Sequence, residues 1–261
     1  NGTLDEYTGP VEPEPPVPPT ILTDTFIKPS EGAIVPTDIK FTSLTYVKMH
    51  VKGFDDFEKI TDIDSRAMIG AQPNFIISLL KLPGASPNID LYFKGCGNVL
   101  RSSEGGFAMS SNGEYYITVG YRPYDLNNFN IDTDTEMSKA IYIGNKHAYK
   151  KVGPTSTSIY KFVDDQARTP ICIFGNYNNT NSMTPDDVIA LGYENALSQI
   201  GYTTGVRYSV KQIDINVRNT DGSMTLTHSL VPARDKDGVI CLYDTITEKS
   251  YYPFNGTLDI I

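Results

Sequence analysis

The sequence has no tryptophan and no long uninterrupted run of apolar residues. No stretch approaches the roughly 18 apolar residues of a membrane-spanning helix, so membrane insertion is not expected. Basic residues are outnumbered, with 22 Lys and Arg against 31 Asp and Glu and a formal net charge of −9. Because such a chain repels a phosphate backbone, nucleic acid is not expected as a partner.

Cysteine is also scarce. The three cysteines, Cys96, Cys172 and Cys241, are far apart in the sequence. No C-x-x-C pair offers a zinc site, and an odd number allows at most one internal disulfide. Cys172 lies in ICIF and Cys241 in VICLYD, and these apolar runs favour buried free thiols.

Short segments in which apolar and polar residues alternate make up most of the chain. They are IKFTSLTYVKMHVK, IDLYFK, EYYITVGY, AIYIG, SIYKFV, TPICIF, GVRYSVKQIDINV, SMTLTHSLV and GVICLYD. Period-two alternation interrupted by Gly, Asn, Asp and Pro is typical of antiparallel strands with one solvated face. In GVRYSVKQIDINV the apolar phase slips by one near Lys211 and Gln212, which predicts a β-bulge there.

One segment has the pattern of a helix instead. Thr184 is a candidate N-cap, Pro185 follows at the first helical position, and Gly201 is a candidate stop. We expect one short helix near residues 185–199. The rest of the pattern predicts an all-β protein, a two-sheet antiparallel sandwich of jelly-roll type.

The most informative segment is LVPARDKDGVICLYDTITEKSYY, residues 230–252, which predicts three strands joined by two turns. Gly238 occupies the expected positive-φ position of the first turn, and Asp244 opens the second. With RYSVKQIDINVRNTDGSMTLTHSLVP and PICIFGNYNN, this segment resembles the C-terminal signature of LamG-like, concanavalin A-type jelly-roll modules. The resemblance covers about residues 168–261, and Cys241 stands where the family usually has glycine.

The resemblance implies a non-catalytic module of the kind found in tandem in phage tail, virion and bacterial surface proteins. It implies an extracellular, virion-surface or bacterial cell-surface location. It also implies adhesion or recognition of a cell-surface or capsule glycan. Two alternatives remain open: a purely structural spacer domain that contacts neighbouring chains, and a polysaccharide-cleaving enzyme with a dispersed carboxylate site.

A five-residue repeat bears on the domain organisation. NGTLD occurs at residues 1–5 and again at residues 255–259, and residues 10–19 hold six prolines. Such a proline-rich run favours an extended spacer of about 3 Å per residue. We interpret residues 1–9 as the tail end of a preceding module, 10–19 as a linker and 20–261 as the LamG-like module. Neighbouring copies or modules are therefore expected partners, and addition of the N-terminal copy to a sheet edge of another molecule is the rival interpretation.

Catalytic motifs are missing from the sequence. A compact E-x-D-x-E string that would place two carboxylates on one face of a strand does not occur. Asp56 and Glu58 stand at alternate positions and could share one face of a strand, but a solvated turn or sheet edge is the favoured interpretation. His50, His147 and His228 are too scattered to suggest a triad. We therefore expect no enzymatic activity and no catalytic residues.

Three segments contain candidate ligand-binding residues. NIDTDTE has oxygen ligands at alternate positions and is a candidate Ca²⁺ site, the one cofactor considered. Asn-rich GNYNNTNS and YRPYDLNNFN combine tyrosine rings with planar amides, which together can stack on a sugar and bond its hydroxyls. The metal candidates are Asp132, Asp134 and Glu136, and the glycan candidates are Asn176, Tyr177, Asn178, Asn179, Tyr121 and Tyr124.

Overall fold

A computed structural model describes much of the chain, in segments joined by residues that are not described. The described residues are 17–42, 44–54, 67–71, 75–81, 88–95, 98–105, 109–110, 112–120, 137–144, 146–152, 170–177, 187, 190–192, 195–196, 202–204 and 208–261. In chain order the strands are β1 (Thr20–Ile21), β2 (Ile27–Pro29), β3 (Val35–Pro36), β4 (Thr45–Phe54), β5 (Ala67–Ala71), β6 (Phe75–Lys81), β7 (Asn88–Gly95), β8 (Asn98–Arg101), β9 (Met109–Ser110), β10 (Glu114–Gly120), β11 (Met137–Ile143), β12 (Lys146–Val152), β13 (Cys172–Ile173), β14 (Gly175–Tyr177), β15 (Tyr202–Thr204), β16 (Tyr208–Arg218), β17 (Met224–Arg234), β18 (Ile240–Asp244), β19 (Lys249–Tyr251) and β20 (Leu258–Ile260). A 3-10 helix spans Ser102–Gly105.

These strands form two large antiparallel sheets. The larger sheet holds eleven of the described strands in the order β12-β11-β10-β4-β16-β17-β18-β19, with β1 paired to β17 and β2 paired to both β16 and β20. The smaller sheet has the order β3-β13-β5-β6-β7-β8, with β9 paired to β7, and β14 and β15 form a separate ribbon. The prediction of an all-β, two-sheet antiparallel sandwich is confirmed.

One hydrophobic core is shared by the two sheets. Val47 and Met49 of the larger sheet and Phe75 and Phe93 of the smaller sheet are at most 2% exposed and belong to one cluster. The ring of Phe75 stacks on that of Phe41 at 3.9 Å between centroids and meets that of Phe93 edge-on at 5.5 Å. Because full burial of such a side chain contributes about 1.5–3 kcal/mol, this shared cluster is what holds the sheets together.

Strands β4 and β10 of the larger sheet follow the predicted alternation. In β4 the buried residues Val47, Met49 and Val51 alternate with Lys48 and Lys52, which are partly or fully exposed. β10 repeats the pattern and pairs with β4 over seven residues, from Glu114 opposite Lys52 to Gly120 opposite Tyr46. The alternation therefore gives the larger sheet one face toward the core and one toward solvent.

The predicted β-bulge is present in β16. Val210 lies opposite Val51, and Gln212 lies opposite the adjacent His50, so Lys211 is the extra residue. Because Lys211 has no opposite partner in β4, both Val210 and Ile213 keep their side chains in the core at 0% exposure. The bulge explains the one-residue slip of the apolar pattern.

The C-terminal segment forms the predicted meander of β17, β18 and β19. In its first turn Gly238 has φ +84°. Oδ1 of Asp235 accepts hydrogen bonds from the backbone N–H groups of Asp237 at 2.9 Å and Val239 at 2.8 Å. Burial opposes ionisation of Asp235, but these bonds, a hydrogen bond from Tyr252 and the charge of Lys236 together hold its pKa below the usual value.

The second NGTLD copy contributes to β20, which does not pair with β19, the strand before it in the chain. β20 pairs with β2, near the start of the described chain, and not with β19. Phe254, just before the copy, forms a β-bridge with Ile34. These contacts join the C-terminal residues of the chain to the first strands that the structure describes.

Among the strands of the smaller sheet that were not predicted, β5 and β6 are the longest. All five residues of β5 are buried, and the described part of β6 is almost entirely so. Strands that are covered on both faces lose the alternation that marks a half-exposed strand. Their apolar runs AMIGA and FIISLLK therefore gave no period-two signal.

The predicted helix is only partly described, and it is interrupted. Asp187, Ala190 and Leu191 have helical conformation, as do Asn195 and Ala196. Between them Gly192 has φ +77°, which no α-helical residue adopts. The expectation of one continuous helix is corrected at this glycine.

Two of the three cysteines lie in the described part of the chain. Cys172 and Cys241 are buried free thiols, as predicted, and Cys96 lies outside it. Burial raises the pKa of the Cys172 thiol, which keeps it protonated.

Candidate functional site

The structure places two of the predicted glycan-binding residues in the interior. Asn176 and Tyr177 belong to β14 and are 4% and 0% exposed. A Cβ on Gly70 would lie 2.2 Å from Oδ1 of Asn176, so this side chain packs directly against the backbone of β5. The ring of Tyr177 therefore has no exposed face on which a sugar could stack. The candidates Asn178, Asn179, Tyr121 and Tyr124 lie outside the described residues.

The predicted calcium loop is also outside the described part of the chain. This applies to all three candidate ligands, Asp132, Asp134 and Glu136. Among the residues that are described, no group of three His, Cys, Asp or Glu side chains is arranged to hold a metal ion. The Ca²⁺ site stays a prediction.

An aromatic cluster lies on the outer face of the larger sheet. Tyr116 in β10 is 65% exposed, and its ring stacks on the imidazole of His50 in β4, 4.1 Å away and inclined by 21°. Phe26, just before β2, meets the imidazole edge-on at 5.2 Å. We call Tyr116, His50 and Phe26 the aromatic platform. Because His50 is only 8% exposed, it supports one face of the Tyr116 ring and leaves the other to solvent.

A carboxylate fixes the platform from one side. Nε2 of His50 donates a hydrogen bond to Oε1 of Glu114 at 2.7 Å. Lys52 lies opposite Glu114 in the pairing of β4 with β10. The imidazole is thus held in one orientation beneath Tyr116, with the Glu114 carboxylate as an acceptor beside it. Nζ of Lys52 lies 5.6 Å from the centroid of the Phe26 ring.

An ion pair borders the platform at Phe26. Nζ of Lys211 lies 5.9 Å from the centroid of the Phe26 ring and donates a hydrogen bond to Oδ1 of Asp24 at 2.7 Å. This bond, together with the negative charges of Asp24 and Glu114, outweighs the opposing effect of burial and raises the pKa of Lys211. Lys211 therefore stays charged, and groups of both signs surround the aromatic rings.

Strand pairing and the bulge bring these residues together. Tyr116 lies directly opposite His50 in the β10–β4 ladder, and Gln212 lies opposite His50 in the β16–β4 ladder. The bulge adds Lys211 on the side of β16 where β2 and the residues before it pack. A regular β16 would have no additional residue at this point.

The sequence contained part of the signal for this site. His50 alternates with Met49 and Val51, and Tyr116 alternates with Tyr115 and Ile117, so both belong to the solvated faces of their strands. Their contact depends on the pairing of β4 with β10, whose residues are more than sixty positions apart in the chain. Alternation within one strand carries no information about which strand lies beside it.

A second polar cluster surrounds Asp244 at the end of β18. The Asp244 side chain is fully buried, and Oδ1 accepts hydrogen bonds from the N–H groups of Ser229 at 2.9 Å and Ile246 at 3.0 Å. Oδ2 accepts bonds from Nδ1 of His228 at 2.6 Å and Oγ1 of Thr247 at 2.7 Å. Burial opposes ionisation, but these four donors together lower the pKa of Asp244.

The bonding of Asp244 identifies it as a structural carboxylate. Each of its oxygens already accepts two hydrogen bonds, which join β17 to the β18–β19 turn. Nδ1 of His228 is one of the four donors, and the His228 side chain is 23% exposed. The predicted second turn at Asp244 is confirmed.

Comparisons with known proteins identify no relative of this chain. No family model, no curated protein and no solved structure matches it. Within the described segments, no helix has both the length and the apolar character needed to cross a bilayer.

Proposed function

We propose that the chain is a non-catalytic adhesion or carbohydrate-recognition module of a larger extracellular, virion-surface or bacterial cell-surface protein. In this proposal the aromatic platform contacts the sugar. The observation that carries it is the ring of Tyr116, which is 65% exposed and stacked on the buried imidazole of His50. A ring that is already immobilised loses little conformational entropy when a ligand packs against it.

The chemistry of the platform suits a saccharide. A pyranose ring has an apolar face of C–H groups, which packs on an aromatic face, and hydroxyl groups at its edge, which need donors and acceptors. Tyr116 offers the face. Glu114 can accept hydroxyl hydrogen bonds, and the ammonium groups of Lys52 and Lys211 can donate them.

We further propose that the sandwich is a LamG-like jelly roll. The support comes from the segment that resembles the family, since residues 230–252 form consecutive antiparallel strands joined by turns at Asp235 and Asp244. The bulged β16 precedes them in the same sheet. The sandwich architecture is compatible with that family, and the family in turn favours a binding module over an enzyme.

A polysaccharide array tests the proposed function. The purified chain is applied to varied polysaccharides with and without Ca²⁺, and hits are measured by calorimetry. Tyr116→Ala should weaken binding by about ten-fold or more, because an aromatic contact contributes about 0.5–1.5 kcal/mol beyond area burial. Tyr116→Phe, which keeps the ring, should bind nearly as well as the unmodified chain.

A second tyrosine provides the matched control. Tyr252 is 44% exposed and lies near Asp235, which is bonded to the β17–β18 turn and not to the platform. Tyr252→Ala should therefore leave binding unchanged. Absence of binding across the array would favour the structural spacer instead. Release of shortened saccharides during incubation would favour the polysaccharide-cleaving enzyme.

A further inference from the structure

The second NGTLD copy is held at a specific place in the fold. β20 pairs antiparallel with β2, with Leu258 opposite Pro29, Asp259 opposite Lys28 and Ile260 opposite Ile27. We call residues 26–34 the acceptor site, because they receive this strand and the residues just before it.

The acceptor site also bonds the residues before β20. The backbone N–H of Ser30 donates to the carbonyl oxygen of Thr257 at 2.8 Å, and the N–H of Thr257 donates to Oγ of Ser30, also at 2.8 Å. Leu258 inserts into the shared core and is 4% exposed. Backbone pairing, a side-chain bond and an apolar contact therefore all fall within NGTLD.

The conformation of this stretch requires the residues that the sequence has. Asn255 has φ +56°, a region in which Asn and Gly are the favoured residues. A Cβ on Gly256 would lie 2.4 Å from Oγ of Ser30 and 2.8 Å from Cβ of Ala33. The acceptor site thus selects Asn, Gly and Leu at the first, second and fourth positions of NGTLD.

The same string at residues 1–5 satisfies every one of these requirements. We propose that the acceptor site of one chain also binds residues 1–5 of a second copy of the chain, in place of residues 255–259. The inference is independent of the proposed glycan function. Since the five residues are identical, the exchange replaces each contact within NGTLD by the same contact. The backbone hydrogen bonds of Phe254 and Ile261, which lie outside NGTLD, are not part of this match and favour the resident strand.

Local concentration then decides which copy is bound. The chain's own C-terminal strand is tethered beside the acceptor site, at an effective concentration of the order of millimolar. Residues 6–19, rich in proline, would span about 40 Å at about 3 Å per residue, so residues 1–5 can reach a neighbouring molecule. Exchange is therefore expected where chains are crowded or where the resident strand is weakened.

Cross-linking between two different variants tests the exchange. Asp5 corresponds to Asp259, which lies opposite Lys28. A donor chain with Asp5→Cys is mixed with an acceptor chain carrying Lys28→Cys and Gly256→Val, the second change weakening the resident strand. After mild oxidation and digestion, mass spectrometry should detect a disulfide between positions 5 and 28, which can only join two chains.

Matched controls separate this contact from random oxidation. An acceptor chain with Thr220→Cys and Gly256→Val has its cysteine in the exposed β16–β17 turn. It should give about ten-fold less cross-link, because it lacks the local concentration that strand binding provides. Adding Gly2→Val to the donor should abolish the 5–28 cross-link. A 5–28 yield equal to the control yield, or one unaffected by Gly2→Val, would overturn the proposal.

A second measurement applies if Gly256→Val prevents folding, as judged by circular dichroism. The acceptor chain with Lys28→Cys alone keeps its resident strand and is incubated with the donor at millimolar concentration. The 5–28 cross-link should then form slowly and increase with donor concentration. Its absence after prolonged incubation of the folded chains would contradict strand exchange.

Discussion

Strands β4 and β10 are tightly packed at a glycine. Gly120 lies opposite Tyr46, whose ring is 1% exposed and packs over the glycine backbone. A Cβ at position 120 would lie 2.4 Å from Cδ1 of Tyr46. Gly120→Ala should therefore lower the free energy of unfolding by about 1–3 kcal/mol, the usual cost of overpacking, measured by urea denaturation.

The double variant Gly120→Ala/Tyr46→Leu shows whether the ring is the cause. A smaller side chain at position 46 removes the steric conflict, so Gly120→Ala should cost less in that background. Gly144→Ala is the comparison. Its φ is +59° and no atom lies within 4 Å of the added Cβ, so a loss of stability there reports backbone strain without a steric conflict. Equal losses at position 120 in both backgrounds would show that Tyr46 is not responsible.

Asp244 makes stability depend on pH. Its pKa in the folded protein lies below the usual value of 3.8, because the hydrogen bonds from Thr247, Ser229, His228 and Ile246 outweigh burial. The stabilisation is therefore fully present above about pH 4 and is lost as pH falls through the folded-state pKa. Asp244→Asn should lower the free energy of unfolding by about 2–3 kcal/mol at pH 7. The amide has no charge, and its NH2 group cannot accept the hydrogen bonds that one carboxylate oxygen accepts.

The difference between the unmodified chain and Asp244→Asn should shrink as pH falls below about 4. Asp221→Asn is the matched control: Asp221 accepts bonds from N and Oγ of Ser223 at 2.8 and 2.6 Å but is exposed. Asp221→Asn should lower the free energy of unfolding much less than Asp244→Asn, because solvent screens the interactions of an exposed carboxylate. Thermal unfolding between pH 2 and 8 measures both, and a pH-independent cost at position 244 would exclude ionisation as its source.

At the scale of elements, the bulge in β16 makes an unusual deletion tolerable. Lys211 is the extra residue between Val210 and Gln212, which lie opposite adjacent residues of β4. Deleting Lys211 restores one-to-one pairing and keeps Val210 and Ile213 in the core. We expect the deletion variant to fold, with its free energy of unfolding lowered by about 1–2 kcal/mol or less. The local twist of β16 changes, but no side chain moves to the opposite face of the sheet.

Deletion of Asp214 is the matched control for this prediction. Asp214 pairs regularly with Lys48 and Ser229, so its removal shifts the register and sends one part of the strand's apolar set to the solvent face. That variant should fail to unfold cooperatively in urea. If both deletions were tolerated equally, Lys211 would not be the residue that the bulge accommodates.

The elements that could be predicted are those whose signal is local. In the larger sheet, alternation located six strands, namely β4, β10, β11, β16, β17 and β18. The phase slip located Lys211, and the turn composition located Gly238, with φ +84°. Strands β5 and β6 gave no alternation because they are buried on both faces. The helix signal did not show that Gly192 would adopt positive φ, since caps and apolar spacing say little about a central glycine.

At the scale of the whole molecule, function depends on contacts that local patterns do not encode. Tyr177 carried the composition expected of a sugar-binding loop, but the chain buries it in β14. Tyr116 became the exposed ring because β10 lies beside β4 and so places it on His50. Which aromatic residues meet is decided by sheet order, and sheet order comes from long-range pairing.

The shared core predicts that the two sheets unfold together. Phe93 of the smaller sheet and Ile215 of the larger sheet belong to the same buried cluster. Phe93→Leu should cost about 1–2 kcal/mol by leaving a small cavity. In native-state hydrogen exchange, the slowest amides of β7 and of β16 should lose the same free energy of protection, because both exchange through one global opening.

Ile246→Ala provides the control, since Ile246 is 49% exposed in the β18–β19 turn and should change stability by less than about 0.5 kcal/mol. If Phe93→Leu lowered protection in β7 and left β16 unchanged, the smaller sheet would open by itself. Equal losses in both strands would instead mean that the aromatic platform and the acceptor site, both on the larger sheet, persist only while the smaller sheet is folded. The proposed binding of a saccharide by the platform and the proposed strand exchange at the acceptor site should then be lost at the same urea concentration as the core.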